Sequence, residues 1–226
     1  MTLILGSQSP RRRELLERMG LSFQVLTAEI DETKFATGDP EASVRRICEA
    51  KAAAVARKMQ NAECKMQNDE EGTVGAHSVR PHEALILSSD TVVVLDGRIM
   101  GKPHDEAEAR AMLAALSGRE HAVYTAFCLL PIKMQNAECK VQNAVCHCEK
   151  TYVKFRELTR DEIAAYVATG EPMDKAGAYG IQNLGAMLVE SIRGDYFTVM
   201  GLPVCRLALA LKQFGMDPLL KQEKHV

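Results

Sequence analysis

The sequence predicts an α/β fold, and three observations support this class. Strand-like and helix-like segments alternate through most of the 226 residues, which is typical of a sheet covered by helices. Hydrophobic residues make up 46% of the chain and charged residues 26%, an ordinary composition for a globular protein. A chain of this length buries a sizeable core, as one large domain or as two small ones.

Capping residues, turns and apolar runs define the individual elements. Ser9-Pro10 and Asp39-Pro40 are typical helix starts, with an N-cap residue followed by proline at the first helical position. Capping boxes are predicted at residues 105–108 and 159–162, and Asp96-Gly97 predicts a hairpin turn. In chain order we predict a strand at 3–5, a helix from 10, a strand at 23–26, a helix from 40 towards 57, strands at 84–87, 91–95 and 98–100, a helix to 116, strands at 122–130 and 151–155, a helix to 170, a strand at 186–192 and a helix at 203–214.

A segment of eleven residues occurs twice in the chain. Residues 58–68 (KMQNAECKMQN) recur as residues 133–143 with a single change, Val141 for Met66. Two copies are too few for a solenoid, and both fall between predicted elements, where insertions are best tolerated. We therefore predict loops lengthened by inserted repeats at about residues 58–83 and 131–150. A functional double motif is the alternative.

Charge and cysteine content restrict the class of protein. The formal net charge of -2 argues against general nucleic-acid binding. The chain shows no secretory signal and no apolar run of the ~18 residues that a membrane span requires. Its seven cysteines are odd in number and irregularly spaced, which favours reduced thiols and a cytoplasmic location. Residues 146–148 (Cys-His-Cys) suggest zinc, but no second ligand pair has a familiar spacing.

Four polar clusters lie where predicted elements end, which is where ligands bind in α/β folds. A helix N-terminus attracts anions, so arginines in the first turn after Pro10 disfavour the helix unless an anion lies in front of them. Structural interpretations are the alternatives: a solvated basic turn at the arginines, a turn former at Asp90 and, for Lys51 on the helix predicted from residue 40, a solvated helix face. The clusters are Ser7 with Arg11 and Arg12, Asp31-Glu32, residues 88–91 (Ser-Ser-Asp-Thr), and Gly101-Lys102-Pro103.

Several cations together with acids are typical of phosphate chemistry. A triphosphate carries three or four negative charges, and carboxylates hold the magnesium that helps to neutralise them. The chain has neither a P-loop nor a dinucleotide-binding fingerprint. Glycines in residues 174–182 permit close approach of the backbone to a ligand, and Gln182 has both a donor and an acceptor for a nucleobase edge. A tight structural turn is the alternative for this segment.

Taken in order, these clusters resemble the Maf family of nucleotide pyrophosphatases. The resemblance covers nearly the whole chain outside the two repeats. It implies a single domain of residues 1–226 with two lobes around a twisted mixed β-sheet, a deep central cleft between them, and often a homodimer. The matching segments are Ser7-x-Ser9-Pro10-Arg11-Arg12, Asp31-Glu32, Lys51, Ser89-Asp90-Thr91, Gly101-Lys102-Pro103, Leu116-Ser117-Gly118, residues 174–182 (DKAGAYGIQ) and residues 199–203 (VMGLP).

The resemblance also implies an activity, namely hydrolysis of nucleoside triphosphates to the monophosphate and pyrophosphate with a divalent metal, Mg²⁺ or Mn²⁺. Residues 174–182 look like the branch that acts on dTTP and UTP, with modified pyrimidine nucleotides as further candidates. Gln8 and Asn183 depart from the small residue and the glycine usual at their positions, which leaves fine substrate preference open. Carried over by position, the resemblance implies that Asp90 is the proton acceptor and that Lys51, Lys102 and Glu32 are the other catalytic residues. It implies that Asp90 and Glu32 also hold the metal. The implied substrate-binding residues are Ser7, Arg11, Arg12, Thr91 and Gln182, of which Arg11, Thr91 and Gln182 set base choice.

A nucleotide-binding regulator without catalytic activity, acting for instance in cell division, is the alternative hypothesis. A pure binder needs the cations, but it gains nothing from Glu32 and Asp90 beside a triphosphate, because bare carboxylates repel phosphate. The two acids therefore favour an enzyme. Phosphomonoester hydrolysis is a third hypothesis, and it would release orthophosphate instead of pyrophosphate.

Overall fold

The computed structural model describes the backbone of residues 1–68, 83–135 and 138–220, and the side chains in these ranges except 62–68, 134–135 and 138–139. The helices are α1 Pro10–Arg18, α2 Pro40–Asn68, α3 Glu106–Leu116, α4 Arg160–Ala168, α5 Tyr196–Met200 and α6 Val204–Lys212. Short 3₁₀ turns occur at Glu32–Phe35, Glu171–Asp174, Ala176–Ala178 and Asn183–Leu188. The strands are β1 Thr2–Leu5, β2 Phe23–Val25, β3 Glu83–Leu95, β4 Arg98–Met100, β5 Glu120–Gln135, β6 Glu138–Val141, β7 Val145–Phe155 and β8 Val189–Arg193.

The eight strands form one mixed sheet, which confirms the predicted α/β class. Its order is β2-β1-β3-β5-β7-β8, with β4 on the end of β3 and β6 on the end of β5. β1 pairs in parallel with β2 and β3, and the remaining pairs are antiparallel. Asp96 and Gly97 both have positive φ at the β3–β4 hairpin, as its predicted turn requires. The capping box at Thr159 and Glu162 is present as predicted.

Two separate cores divide one face of the sheet into two lobes. Leu85 and Leu87 of β3 pack with β1, α1 and α6, whereas Val93 and Leu95 pack with α3 and α4. The opposite face is covered by α2. Between the two cores β3 carries polar residues instead of apolar ones, and this is where the two lobes separate.

The prediction of two strands at 84–87 and 91–95, interrupted by a turn, is wrong, because β3 runs unbroken from Glu83 to Leu95. The two serines of this segment are fully buried, and their hydroxyls bond to carbonyls of neighbouring elements. Ser88 Oγ donates to Cys48 O at 2.7 Å, and Ser89 Oγ donates to Ala126 O at 2.8 Å. Since a buried hydroxyl is tolerated when its hydrogen bond is made, a polar run continues the strand. Asp90 is therefore not a turn former.

The prediction of loops at 58–83 and 131–150 is wrong for most of the residues that the structure describes there, with residues 142–144 forming a turn. Residues 58–68 continue α2, because Met59 is buried in the same core as the preceding turns and extending an existing helix needs no new nucleus. The second copy extends β5, and β6 folds back on it, with Ile132 opposite Val141. Residues 145–150 belong to β7. Residues 69–82 lie outside the described part of the chain.

The zinc interpretation of residues 146–148 is wrong because strand alternation separates the ligands. Cys146 and Cys148 pack towards α2, while His147 lies against Phe127 of the opposite core. Within residues 1–68, 83–135 and 138–220, no three His, Cys, Asp or Glu side chains are grouped to hold a metal. None of the helices described is both long and apolar enough to traverse a bilayer.

Candidate active site

A cleft of about 850 Å³ opens at the middle of β3, where the two lobes separate. Its walls come from the β1–α1 loop, the first turn of α1, α2, the loop after β4, residues 174–179 and residues 199–201. Gln182 does not line the cleft; it lies half-buried immediately before the 3₁₀ turn Asn183–Leu188. The predicted site residues that line it are Ser7, Arg11, Arg12, Glu32, Lys51, Asp90, Thr91 and Lys102.

Arg12 is fixed on one wall by three uncharged groups. Its Nε donates to Gly201 O at 2.8 Å, its Nη1 to Ser7 Oγ at 3.0 Å and its Nη2 to Thr91 Oγ1 at 3.2 Å. Burial lowers the pKa of Arg12, and the carboxylate of Asp90 acts in the opposite direction. A guanidinium keeps its charge under any such shift, so Arg12 presents a positive charge that none of its hydrogen-bond partners neutralises.

The start of α1 differs from the predicted cap in one detail. Ser9 occupies the N-cap position and Pro10 the first helical position, but the Ser9 side chain makes no capping hydrogen bond. The Ser7 hydroxyl accepts from the Ser9 N–H at 3.3 Å and also from Arg12. Ser7 therefore links the end of the β1–α1 loop to the arginine, and Ser9, Pro10 and Arg11 at the start of the helix line the cleft.

Lys51 is fixed on the other wall by two carboxylates. Its Nζ lies 2.7 Å from Asp90 Oδ1 and 2.7 Å from Glu32 Oε1. The Lys51 and Asp90 side chains are 18% and 14% exposed, and that of Glu32 is 52% exposed. Burial lowers the pKa of Lys51, but the carboxylates of Asp90 and Glu32 outweigh it, and the pKa lies above the ordinary lysine value.

Local structure explains how these side chains meet. Lys51 lies on α2, Asp90 is on the neighbouring strand β3, and Glu32 begins the 3₁₀ turn Glu32–Phe35. Asp31 caps this turn, because its Oδ1 accepts from the Thr33 N–H at 3.2 Å. The two adjacent acids thus have different functions: Asp31 caps the turn, and Glu32 pairs with Lys51.

Gly201 supports the site although the sequence indicated no role for it. It ends α5 with a φ of +107°, a conformation that favours glycine. Its carbonyl accepts from both Arg12 Nε and Ser89 Oγ. The available signal was the match of residues 199–203 to the family pattern, which says nothing of the partners of the Gly201 carbonyl.

Lys102 also lines the cleft, on the exposed loop after β4. The adjacent Gly101 carbonyl accepts from the Gly177 N–H at 2.9 Å, which attaches this loop to the segment of residues 174–182. In the part of the chain that the structure describes, Lys102 forms no hydrogen bond or ion pair. The cleft thus combines a paired lysine, an arginine with uncharged partners and an exposed lysine, which is the class of site that binds a polyanion.

The chain belongs to the Maf-like protein family, whose model matches residues 2–214. The resemblance drawn from the sequence motifs is therefore confirmed, and the mixed α/β sheet with its cleft agrees with it. The match covers both lobes and all of the cleft-lining residues described above.

Several relatives carry a common name. A protein of Moorella thermoacetica named dTTP/UTP pyrophosphatase is 45% identical over 215 residues, which cover 95% of this chain and 96% of the relative. Proteins of the same name from Bacillus cytotoxicus and Bacillus cereus are 42% and 41% identical. Those matches cover 93% and 95% of this chain and 94% and 96% of the respective relatives.

Proposed function

We propose that this protein is an enzyme that hydrolyses dTTP and UTP to the nucleoside monophosphate and pyrophosphate. The observation that carries the proposal is the convergence of Lys51, Asp90, Glu32 and Arg12 in one cleft. Family membership supports the fold, and relatives more than 40% identical are named for this activity. Modified pyrimidine nucleotides are further candidate substrates.

Asp90 is the residue that we assign to proton transfer. Water attacks the α-phosphorus, the water proton passes to the Asp90 carboxylate, and pyrophosphate leaves with the electrons of the broken P–O bond. Lys51 donates a hydrogen bond to Asp90 Oδ1 at 2.7 Å, which holds that oxygen in place and leaves the second carboxylate oxygen for the water. Asp90 thus lies on a buried strand beside a cation that orients it.

The cations of the cleft stabilise charge on the phosphates. Arg12 has a rigid fork and no anionic hydrogen-bond partner, which suits it for phosphate oxygens. Lys102, on its exposed loop, suits the leaving pyrophosphate, whose charge grows during the reaction. We assign Ser7 to substrate binding, and Arg11, Thr91 and Gln182 to base choice. Of these three, Gln182 is the one outside the cleft lining.

A divalent cation, Mg²⁺ or Mn²⁺, fits the acidic wall of the cleft. Asp90 and Glu32 place two carboxylates on one lysine, and one or two carboxylates together with substrate phosphates are the usual magnesium environment. These two residues would hold the ion. Such an ion lowers the pKa of bound water and neutralises phosphate charge.

The non-catalytic regulator has no observation in its favour, because two carboxylates in a polyanion cleft weaken binding unless they serve a reaction or hold a metal. A homodimer and a cytoplasmic location remain predictions. The proposal is tested by incubating the purified protein with canonical and modified nucleoside triphosphates in Mg²⁺, Mn²⁺ or Co²⁺. We expect equimolar monophosphate and pyrophosphate, fastest with dTTP and UTP. Orthophosphate as the first product, or binding without turnover, would contradict it.

A further inference from the structure

We propose that Cys128 and Cys146 form a site of reversible intramolecular disulfide formation, which takes small-molecule disulfides such as glutathione disulfide as the reagent. Neither cysteine lines the cleft. The proposal is independent of the hydrolytic activity and rests on the position of two thiols in neighbouring strands.

The sheet register places the two cysteines opposite each other. Cys128 of β5 is the direct partner of Cys146 of β7. Directly opposed residues of an antiparallel pair share one face, with Cβ atoms about 4.5–5.5 Å apart, close to the separation that a disulfide requires. The interaction with Cys146 raises the pKa of the Cys128 thiol, and both cysteines pack beneath α2.

The other cysteines with described side chains lack such a partner. Cys148 is opposite Ala126, and Cys48 donates its thiol hydrogen bond to the Ala126 carbonyl. Cys205 is exposed on α6. Among these five thiols, the register therefore selects a single pair.

A second cavity reaches one cysteine of the pair, Cys128. It has a volume of about 470 Å³ and lies between α2 and the turn before β7, with Ala53, Ala56, Asn143 and Ala144 among its lining residues. Cys128 is nearly inaccessible in the sheet but lines this cavity. Cys146 lies outside the cavity lining but is less buried than Cys128, and we assign the first exchange to it.

The reaction consists of two thiol–disulfide exchanges. The Cys146 thiolate attacks one sulfur of glutathione disulfide, a mixed disulfide forms, and the first glutathione leaves as its thiolate. Cys128 then attacks the Cys146 sulfur and displaces the second glutathione. The Cys146–Cys128 bond forms, the reagent's S–S bond is lost, and both cysteine protons end on glutathione. The Cys146 hydrogen bond and burial raise the pKa of Cys128, which makes the second exchange the slow one.

The link would lie beside the catalytic strand. Ser88, Cys128 and Cys146 form one row across β3, β5 and β7, and Asp90, Ala126 and Cys148 form the row two residues further along β3. A disulfide in the first row would connect β5 covalently to β7, close to the strand that holds Asp90.

Peptide mapping tests the proposal on the full-length protein. Trypsin releases residues 120–133, which contain Cys128 as their single cysteine, and residues 141–150, which contain Cys146 and Cys148. After treatment with glutathione disulfide and blocking of free thiols, we expect these two peptides joined, with a mass two hydrogens below their sum. Dithiothreitol should separate them again.

Matched variants identify the sulfurs. Cys146→Ser should abolish the linked peptide, whereas Cys148→Ser, two residues away on the same strand, and Cys205→Ser should retain it. The wild-type map decides the question even if a Cys128 variant fails to fold. Three outcomes would overturn the proposal. They are glutathione that stays on Cys146 without a cross-link, a cross-link through Cys148, and disulfides between other cysteines only.

Discussion

The two cations at the centre of the cleft, Lys51 and Arg12, are held in opposite ways. Lys51 lies between two carboxylates, whereas the hydrogen-bond partners of Arg12 are two hydroxyls and a carbonyl. One wall therefore has a net negative charge and suits a metal ion, and the other has a net positive charge and suits a phosphate. This difference in charge is what the proposed binding of a metal–triphosphate complex requires.

The difference follows from the side chains themselves. An ammonium is a compact point charge whose hydrogen bonds two carboxylates can accept, while a guanidinium has five donors in a fixed plane that uncharged acceptors can satisfy without cancelling the charge. Substitutions on the two walls should therefore impair the enzyme in different ways, and the following variants test this.

The largest effect is expected at the acidic wall. Asp90→Asn should leave the fold intact but reduce kcat by about 10²- to 10⁴-fold, because the amide cannot accept the water proton. Pyrophosphate release measures the rate, and circular dichroism checks the fold. Asp96→Asn, at an exposed hairpin position with positive φ that asparagine tolerates, is the matched control. Near-normal pyrophosphate release by Asp90→Asn would exclude Asp90 as the proton acceptor.

Next in size is the effect on the basic wall. Arg12→Lys keeps the charge but has its donors on one nitrogen instead of the three nitrogens of a planar guanidinium, so kcat/KM should fall by about 10²- to 10³-fold. The neighbouring Arg13→Lys, on an exposed position outside the cleft lining, should have no effect. If Arg12→Lys retained full kcat/KM, the positive charge alone would be sufficient for activity, and the planar guanidinium geometry would make no contribution.

A smaller effect, on stability, is expected from removing the lysine between the acids. Lys51→Met should lower the free energy of unfolding by about 1–3 kcal/mol near neutral pH, because two carboxylates lose their shared partner. Since folding raises the pKa of Lys51, its contribution is fully present below the ordinary lysine value of 10.5 and disappears as the pH rises through the folded value.

Urea unfolding of wild type and Lys51→Met between pH 8 and about pH 11 measures this contribution. Lys58→Met, on the same helix with a carbonyl as partner, controls for loss of a surface lysine. A stability difference that stays constant to the most alkaline pH would show that the charge of Lys51 does not stabilise the fold.

The smallest effect is expected far from both walls. Replacing residues 134–143 by a short turn should leave kcat and KM for dTTP unchanged, because none of the segment's members with a described side chain, residues 140–143, lines the cleft. Steady-state kinetics of the shortened protein provide the check. Loss of turnover in a folded deletion variant would assign the hairpin to the active site.

The sequence was sufficient for the class of fold and for most of the cleft. Capping residues and apolar runs predicted the helix starts and the sheet, since both depend on local chemistry. The sequence could not predict that Ser88 and Ser89 continue a strand, because their carbonyl partners come from Cys48 and Ala126, distant in the chain. The support from Gly201 is equally nonlocal. The position of Gln182 outside the cleft lining is also nonlocal, because it depends on how residues 174–182 fold against the lobe that contains α3 and α4.

The duplicated segment shows how this fold accommodates additional residues. Nearly identical segments form helix at residues 58–68, after a helix, and strand at residues 133–135 and 138–141, after a strand, so their own preferences are weak enough for the host element to impose its geometry. An inserted segment of this kind does not need to fold independently. Length differences at these two points therefore need not alter the catalytic crevice.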